Sequence, residues 1–321
     1  MSRPNTIVHA PAAQDAAELP GSAASNPAAR SRAILCVIGA AATFATAAVA
    51  VKALGGAIPV MQVVLFRNLF AVPVLLALAI AMAGPGRRRT ILATRQPWAH
   101  AQRTVYGVIG MLGTFYGYTQ LPLATVTALG FTMPLFLTAL SIPLLGEKVG
   151  PRRLAAVVAG FCGVLVLLRP GFGDGDAPPA MAMLAVLASA LAWALAMITI
   201  RRMGEAGESG ATITLWFAIG GMLVGAAGAL PVWVWPSPGQ WALLGAVGLV
   251  SALAQLLMTA AYRSGEATLI APFEYSGILW TMSFGLLVWG EWPVTLDLLG
   301  VAILVASGLY IWHREVRLRA R

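Results

Sequence analysis

Charge is what this chain has least of. Only 10% of its 321 residues are Asp, Glu, Lys or Arg, where a soluble globular chain carries about 25%. With 59% of residues hydrophobic, a fold in water could not cover its own apolar surface, so a soluble domain is excluded. Cysteine is nearly absent: Cys36 and Cys162 both fall inside apolar runs, which excludes a disulfide framework and a Cys-rich metal site. The three histidines, His9, His100 and His313, lie in the amino-terminal tail or at the edges of apolar runs. No His, Cys and carboxylate cluster has ligand spacing, so neither a metal nor another cofactor is expected. A Gly-x-x-x-x-Gly-Lys-Ser/Thr phosphate loop is missing too, which argues against nucleotide-driven work. The apolar runs offer scattered Ser and Thr and one Glu, no convergent nucleophile and base, so an integral-membrane enzyme is disfavoured. Nothing resembles a channel selectivity ring.

What the chain has instead is long apolar runs. A spanning helix needs about 20 mostly apolar residues, and about ten such runs are present, at 33–51, 60–83, 103–119, 123–145, 154–168, 180–200, 212–232, 241–261, 267–289 and 294–312. Gly and Pro separate them, at Gly55-Gly56 with Pro59, Gly84-Pro85-Gly86, Leu121-Pro122, 170–179, 204–210 and 236–239. The pattern predicts an all-α integral membrane protein. Residues 1–31 are rich in Ala, Pro, Ser and Asn without an apolar core and read as a disordered cytosolic tail.

The net charge of +9 would suggest nucleic acid in a soluble protein. Here the basic residues stand in short segments between apolar runs and act as orientation signals, so no nucleic-acid partner is expected. With the amino terminus inside, 18 of the 21 Lys and Arg fall in cytosolic segments, among them Arg87-Arg88-Arg89 and Arg103; Lys52 and Arg169 fall outside, and Arg67 lies within a run. The positive-inside rule then places both termini in the cytosol. Arg87-Arg88-Arg89 also suits contact with anionic membrane lipid.

The chain repeats itself. Tyr118 to Thr125 leads to a run ending Leu144-Leu145-Gly146-Glu147, and Tyr262 to Thr268 leads to one ending Val288-Trp289-Gly290-Glu291; Pro151 and Pro293 then open the next runs. Residues 32–170 and 178–321 each hold about five runs, an odd number, so the second half enters the membrane inverted. Two inverted five-helix repeats are a carrier architecture, with the binding site near the midplane between them.

The segments Phe66-Arg67-Asn68, Leu121 to Pro134, Leu145-Gly146-Glu147, Arg169-Pro170-Gly171 and Ala271-Pro272-Phe273-Glu274-Tyr275 complete the picture by their order and spacing. The chain resembles the drug/metabolite transporter superfamily, specifically the ten-helix EamA family, from Ala33 to Arg314. Residues 271–275 are most similar to a branch containing S-adenosylmethionine and riboflavin carriers, while other relatives export amino acids or drugs. The resemblance implies a secondary transporter of a small organic metabolite in the bacterial inner membrane, working without nucleotide hydrolysis.

Several residues are candidates for the substrate site. Arg67 lies about seven residues into its run, roughly 10 Å deep at 1.5 Å per residue, where a charge costs at least ~2.5 kcal/mol unless paired or hydrated. It suits an anion or carboxylate contact; snorkelling to the outer surface is the structural alternative. Glu274 is the only carboxylate well inside a run and suits a cationic substrate group, a proton, or Arg67 itself; a protonated core Glu is the alternative. Pro272 and Gly277 soften its helix, and Pro134 does the same in the first half, so these three are candidate hinges. Phe44, Tyr116, Phe131, Trp193, Tyr275 and Trp280 lie within runs and can line an aromatic cavity for a flat ligand, or simply pack. Glu147 and Glu291 precede prolines that open helices and read as structural, favoured by a helix N-terminal dipole. Trp233, Trp235, Trp241 and Trp312 read as interface anchors, and Gly107, Gly110, Gly113 and Gly117 as a face that lets helices approach closely.

Overall fold

A computed structural model describes residues 27–82, 91–145, 150–168, 179–264 and 272–319. Among the described residues the only regular structure is helical. The helices are α1 (Pro27–Ala53), α2 (Val60–Met82), α3 (Pro97–Gln120), α4 (Leu123–Gly130), α5 (Met133–Leu145) and α6 (Pro151–Leu168). Then come α7 (Ala180–Glu205), α8 (Gly210–Ala229), α9 (Pro238–Ser264), α10 (Ser276–Trp289) and α11 (Thr295–Arg319). Seven helical stretches are long and apolar enough to cross a membrane, one of them α4 and α5 taken together. Three of the runs read from the sequence are not among the seven. The helix containing 103–119 is diluted by polar residues, 154–168 is a shorter apolar helix, and 267–289 is helical in two described pieces, 272–274 and α10.

The expectations for residues 1–26, for Arg87-Arg88-Arg89, Glu147 and Arg169, and for the loop at 171–178 fall outside the described residues. Helix α1 starts at Pro27, inside the expected tail; proline is at home in a first turn because its missing N–H would have no partner there.

Pro134 stands just after the break between α4 and α5, where it has no N–H to return to the Gly130 carbonyl. Proline alone does not break these helices, since α2 runs through Pro73 and α5 through Pro143. The chain turns at Phe131-Thr132. The Phe131 N–H donates to the Thr127 and Ala128 carbonyls at 3.2 and 3.1 Å, and the Thr132 hydroxyl to Leu129 O at 2.6 Å. In the second half the helix of 272–274 is interrupted at Tyr275, and α10 begins one residue later.

Helix packing is close because small residues meet at the crossings. The broadest contacts join α1 to α9, α3 to α7, α2 to α8 and α6 to α11; α9 also packs on α2, α10 on α1, α5 on α7 and α8 on α3. At Gly113 the backbone carbonyl of Ala185 on α7 comes so near that a Cβ has no room. Beside it, the hydroxyls of Thr114 and Ser189 bond at 2.7 Å. At Gly225 a Cβ would stand 2.7 Å from the backbone nitrogen of Leu65 on α2. Glycine is required at both places.

Candidate functional site

The two helix breaks meet. Phe131, which ends α4, and Tyr275, which precedes α10, pack together with ring centroids 4.6 Å apart and planes tilted by 41°. A Cβ built at Gly277 would stand 4.0 Å from Phe131, from Thr127 and from Ala41 of α1, so α1, α4 and α10 converge here. Phe44 is half-buried one turn from Ala41 on α1, on the same helix face by its i, i+3 spacing. Glu274 is half-buried and adjoins this point, and it acts electrostatically on Tyr275. The Tyr275 hydroxyl is seated against Gly308 of α11. Six of the sequence candidates, Phe44, Phe131, Pro134, Glu274, Tyr275 and Gly277, therefore lie on the elements that converge at the two breaks. Pro272 lies in the described helical residues 272–274 that lead there.

Arg67 and Trp193 belong to a second cluster, built on α3. An Nη1 hydrogen of Arg67 points at the thioether sulfur of Met111, 3.2 Å away, and a thioether is a weak acceptor. Trp193 lies where a Cβ at Gly110 would be. The same cluster holds a residue the sequence reading placed in a cytosolic segment: Arg103 is buried, 7% exposed, six residues inside α3. Its guanidinium lies 4.0 Å from the ring centroid of Phe217 on α8 and 5.6 Å from that of Trp193. Cation–π contacts contribute about 0.5–2 kcal/mol. They do not satisfy the five N–H donors of a guanidinium. Among the described residues, Arg103 Nε and Nη1, both buried, have no hydrogen-bond partner. The ring contacts do not offset that, since a buried unsatisfied polar group costs about 1–3 kcal/mol, more if charged. Pro97 was the signal available for Arg103: proline in a first turn starts the helix two turns before the apolar run does.

Tyr116 and Trp280 are not brought to either cluster. Tyr116 is exposed on α3, and Trp280 is partly exposed on α10 beside Phe284, 6.3 Å away between centroids.

One end of the bundle is tied by an ion pair. Lys52, in the last turn of α1, pairs with Glu291, donates to the Leu121 carbonyl at 2.6 Å, and lies 5.5 Å from the Trp289 ring centroid. Glu291 also accepts the Leu123 N–H at 3.1 Å, so its carboxylate caps α4 and not the helix after Pro293. Gly290 makes this possible: its left-handed φ of 67° closes α10, and the Glu291 N–H then returns to Gly285 O at 3.1 Å. A cavity of about 180 Å³ adjoins the knot, between α4, α10 and α11. It is smaller than the roughly 300–1,000 Å³ of a usual small-molecule site. Nearby, Trp233 and Trp241 pack on Phe66, with centroids 5.9 and 4.8 Å away, and Gln62 exchanges two hydrogen bonds with the Val234 backbone. Trp233 and the Gln62–Val234 bonds hold the segment before α9 against α2, and Trp241 holds the first turn of α9 there, so both tryptophans are more than interface anchors.

At the start of α3, ahead of the apolar stretch, His100 is buried 3.6 Å from Glu208 and against Trp216. That separation is too long for a hydrogen bond. Burial pushes the imidazole below the usual histidine range, and Glu208 pulls weakly the other way. A histidine with a lowered folded pKa binds its proton more readily in the unfolded chain. Its contribution is complete above the unfolded value of about 6.5 and is lost as pH falls through and below it. Thermal unfolding of the purified protein is therefore expected to shift downward between pH 7 and 5. His100→Phe, which keeps a ring against Trp216, is expected to flatten that shift; an unchanged pH profile in the variant would place its origin elsewhere. Among the described residues no three His, Cys, Asp or Glu stand together as metal ligands.

A bundle of apolar helices with two interrupted helices meeting at their breaks defines a multi-pass membrane protein of transporter type. The chain belongs to the EamA-like transporter family, whose profile matches it twice, over residues 31–169 and 180–312. It is 32% identical over 259 residues to a riboflavin transporter of Rhizobium johnstonii, covering 78% of this chain and 79% of that one. An S-adenosylmethionine uptake transporter of Rickettsia prowazekii is 27% identical over 264 residues, 82% of this chain and 86% of its own. A solved crystal structure superposes with a TM-score of 0.62 at 21% identity, covering 90% of this chain and 99% of its own, which shows the shared fold. The chain is thus a membrane transporter and not an enzyme.

Proposed function

We propose that the protein is a secondary carrier that moves a small organic metabolite across the bacterial inner membrane by alternating access, without nucleotide. The observation that carries this reading is the meeting of the two helix breaks at Phe131 and Tyr275. Interrupted helices expose backbone polar groups at membrane depth, tolerated only where they line a site or are buried in protein.

Ten spans in two inverted halves, with both termini cytosolic, fit the packing. Exchanging the halves pairs α1 with α7, α2 with α8, α3 with α9, α4 and α5 with α10, and α6 with α11. That exchange turns the α1–α9 contact into α7–α3, the α2–α9 contact into α8–α3, and the α1–α10 contact into α7–α5. It leaves α2–α8 and α6–α11 in place, and all of these contacts are present. The doubled family match supports the same reading. In it, Lys52–Glu291 closes the outer end, and Pro134, Pro272 and Gly277 are the hinges. Glu274, Phe131, Tyr275 and Phe44 line one part of the site, and Arg67 and Trp193 another.

Riboflavin and S-adenosylmethionine are the first substrates to test, given the relatives' names and the aromatic pair, which suits a flat heterocycle. Amino acids and drugs come next. The experiment is counterflow of labelled riboflavin and S-adenosylmethionine in proteoliposomes, with and without a proton gradient. Saturable uptake of one, competed by unlabelled solute, supports the proposal. Uptake of neither, in vesicles that exchange an amino acid, would move the substrate to the alternative class.

A further inference from the structure

Among the described residues the cluster on α3 carries two positive charges and no negative one. Arg67 comes from α2 and Arg103 from α3, and among the described residues the charged group that acts on Arg103 is Arg67, a like charge. Neither guanidinium has an ion pair with a described carboxylate. Arg67 has a thioether for its acceptor. Arg103 has two aromatic rings beside it and, among the described residues, no acceptor for Nε or Nη1.

The room for this arrangement is built into the helix. A Cβ at position 107 would collide with Arg103 Nη1 and with the Phe217 ring, so Gly107 is the seat of the guanidinium. Met111, which faces Arg67, lies one turn further along α3, about 6 Å on at 1.5 Å per residue. The two arginines thus stand in sequence along one helix face. Arg67 is seven residues from the Val60 end of α2, and Arg103 six residues from the Pro97 end of α3. Those ends face opposite sides of the bundle, since the Pro97 end lies with the far end of α2, where Ala79 clusters with Ile91 and Ala211. A packing role alone does not explain the pair: methionine or leucine would fill the space without repulsion and without unmet donors.

We infer that Arg67 and Arg103 together receive an oxyanion group, a carboxylate or a phosphate, carried by the transported solute. The inference rests on the carrier reading above and names the chemistry of its substrate. A planar fork of donors suits either oxyanion, and the solute supplies the negative charge that the described residues of this cluster do not. Its remaining, flat part can extend from Trp193 toward the aromatic pair at the helix breaks.

Matched solutes that differ only in the anionic group test this. Purified protein in nanodiscs is titrated with S-adenosylmethionine and its decarboxylated form, and with riboflavin and its 5′-phosphate, following tryptophan fluorescence. The wild type is expected to bind the carboxylate- or phosphate-bearing member of at least one pair about tenfold or more tightly than its counterpart. Preference in the first pair identifies a carboxylate and in the second a phosphate. Arg103→Gln and Arg67→Gln are each expected to reduce that ratio to within about twofold, with Arg103→Lys intermediate. The wild-type ratio needs no variant, so a misfolded variant does not remove the test. Equal binding within both pairs, binding of none of the four, or a ratio unchanged in folded Arg103→Gln would each overturn the inference. Counterflow of riboflavin that ignores the 5′-phosphate would sink the anion site while leaving the carrier reading intact; absence of counterflow for any solute would remove that reading itself.

Discussion

Glu274→Gln is expected to cut concentrative uptake at least about tenfold, the equivalent of about 1.4 kcal/mol, while the amount of protein in the membrane stays near wild type. Glu274 is the one carboxylate well inside an apolar run, and it stands immediately before the break at Tyr275, on which it acts electrostatically. A carboxyl that meets low-dielectric surroundings in one state and water or a cation in the other takes up a proton in the first and releases it in the second. Gln keeps the shape and removes that cycle. Asp keeps the charge with a shorter reach and is expected to retain more transport. Two measurements separate the roles: lost binding in the Gln variant marks a substrate contact, whereas retained exchange without accumulation marks a proton site. Gln variants that accumulate solute like the wild type would make Glu274 an ordinary packed residue.

Glu291→Lys is expected to have the next largest effect, lowering both the yield of folded protein and transport about tenfold. The carboxylate holds Lys52 and the first N–H of α4 at once, and both side chains are largely shielded, 13% and 19% exposed. Losing it leaves a cation facing a cation and an uncapped helix, and an unmet polar group of this kind costs about 1–3 kcal/mol. Lys52→Glu in the same chain restores the pair but leaves a lysine at the α4 N-terminus. That sets about 0.3–1 kcal/mol of helix dipole against it, so recovery is expected to be partial. Wild-type abundance and uptake in the single Glu291→Lys variant would show that the knot holds nothing.

Much of the fold is legible in the sequence because a bilayer demands long apolar runs and Gly and Pro punctuate them. At Phe131 the sequence offers Pro134 as a hinge, but α2 and α5 run unbroken through Pro73 and Pro143, so proline alone does not place the break. The break at Tyr275 is less legible still. Pro272 stands three residues before it, and Tyr275 has no helix-breaking chemistry of its own. Arg103 was hidden by the apolar run itself, which starts later than the helix, so a buried guanidinium counted as a loop charge. The partnership of Lys52, Glu291 and Leu123 joins three distant parts of the chain, and local pattern carries no sign of it. Glu291, next to Pro293 in sequence, serves as a helix N-terminal carboxylate for α4, because the reversal at Gly290 turns it back toward Leu123.

Counterflow in proteoliposomes containing only the purified protein, with no nucleotide on either side, tests the central claim most directly. Labelled solute outside is expected to enter faster when unlabelled solute is trapped inside, to exceed its equilibrium distribution briefly, and to respond to an imposed proton gradient. Uptake that requires trapped ATP, or that proceeds without saturation and without stimulation by internal solute, would contradict a secondary carrier.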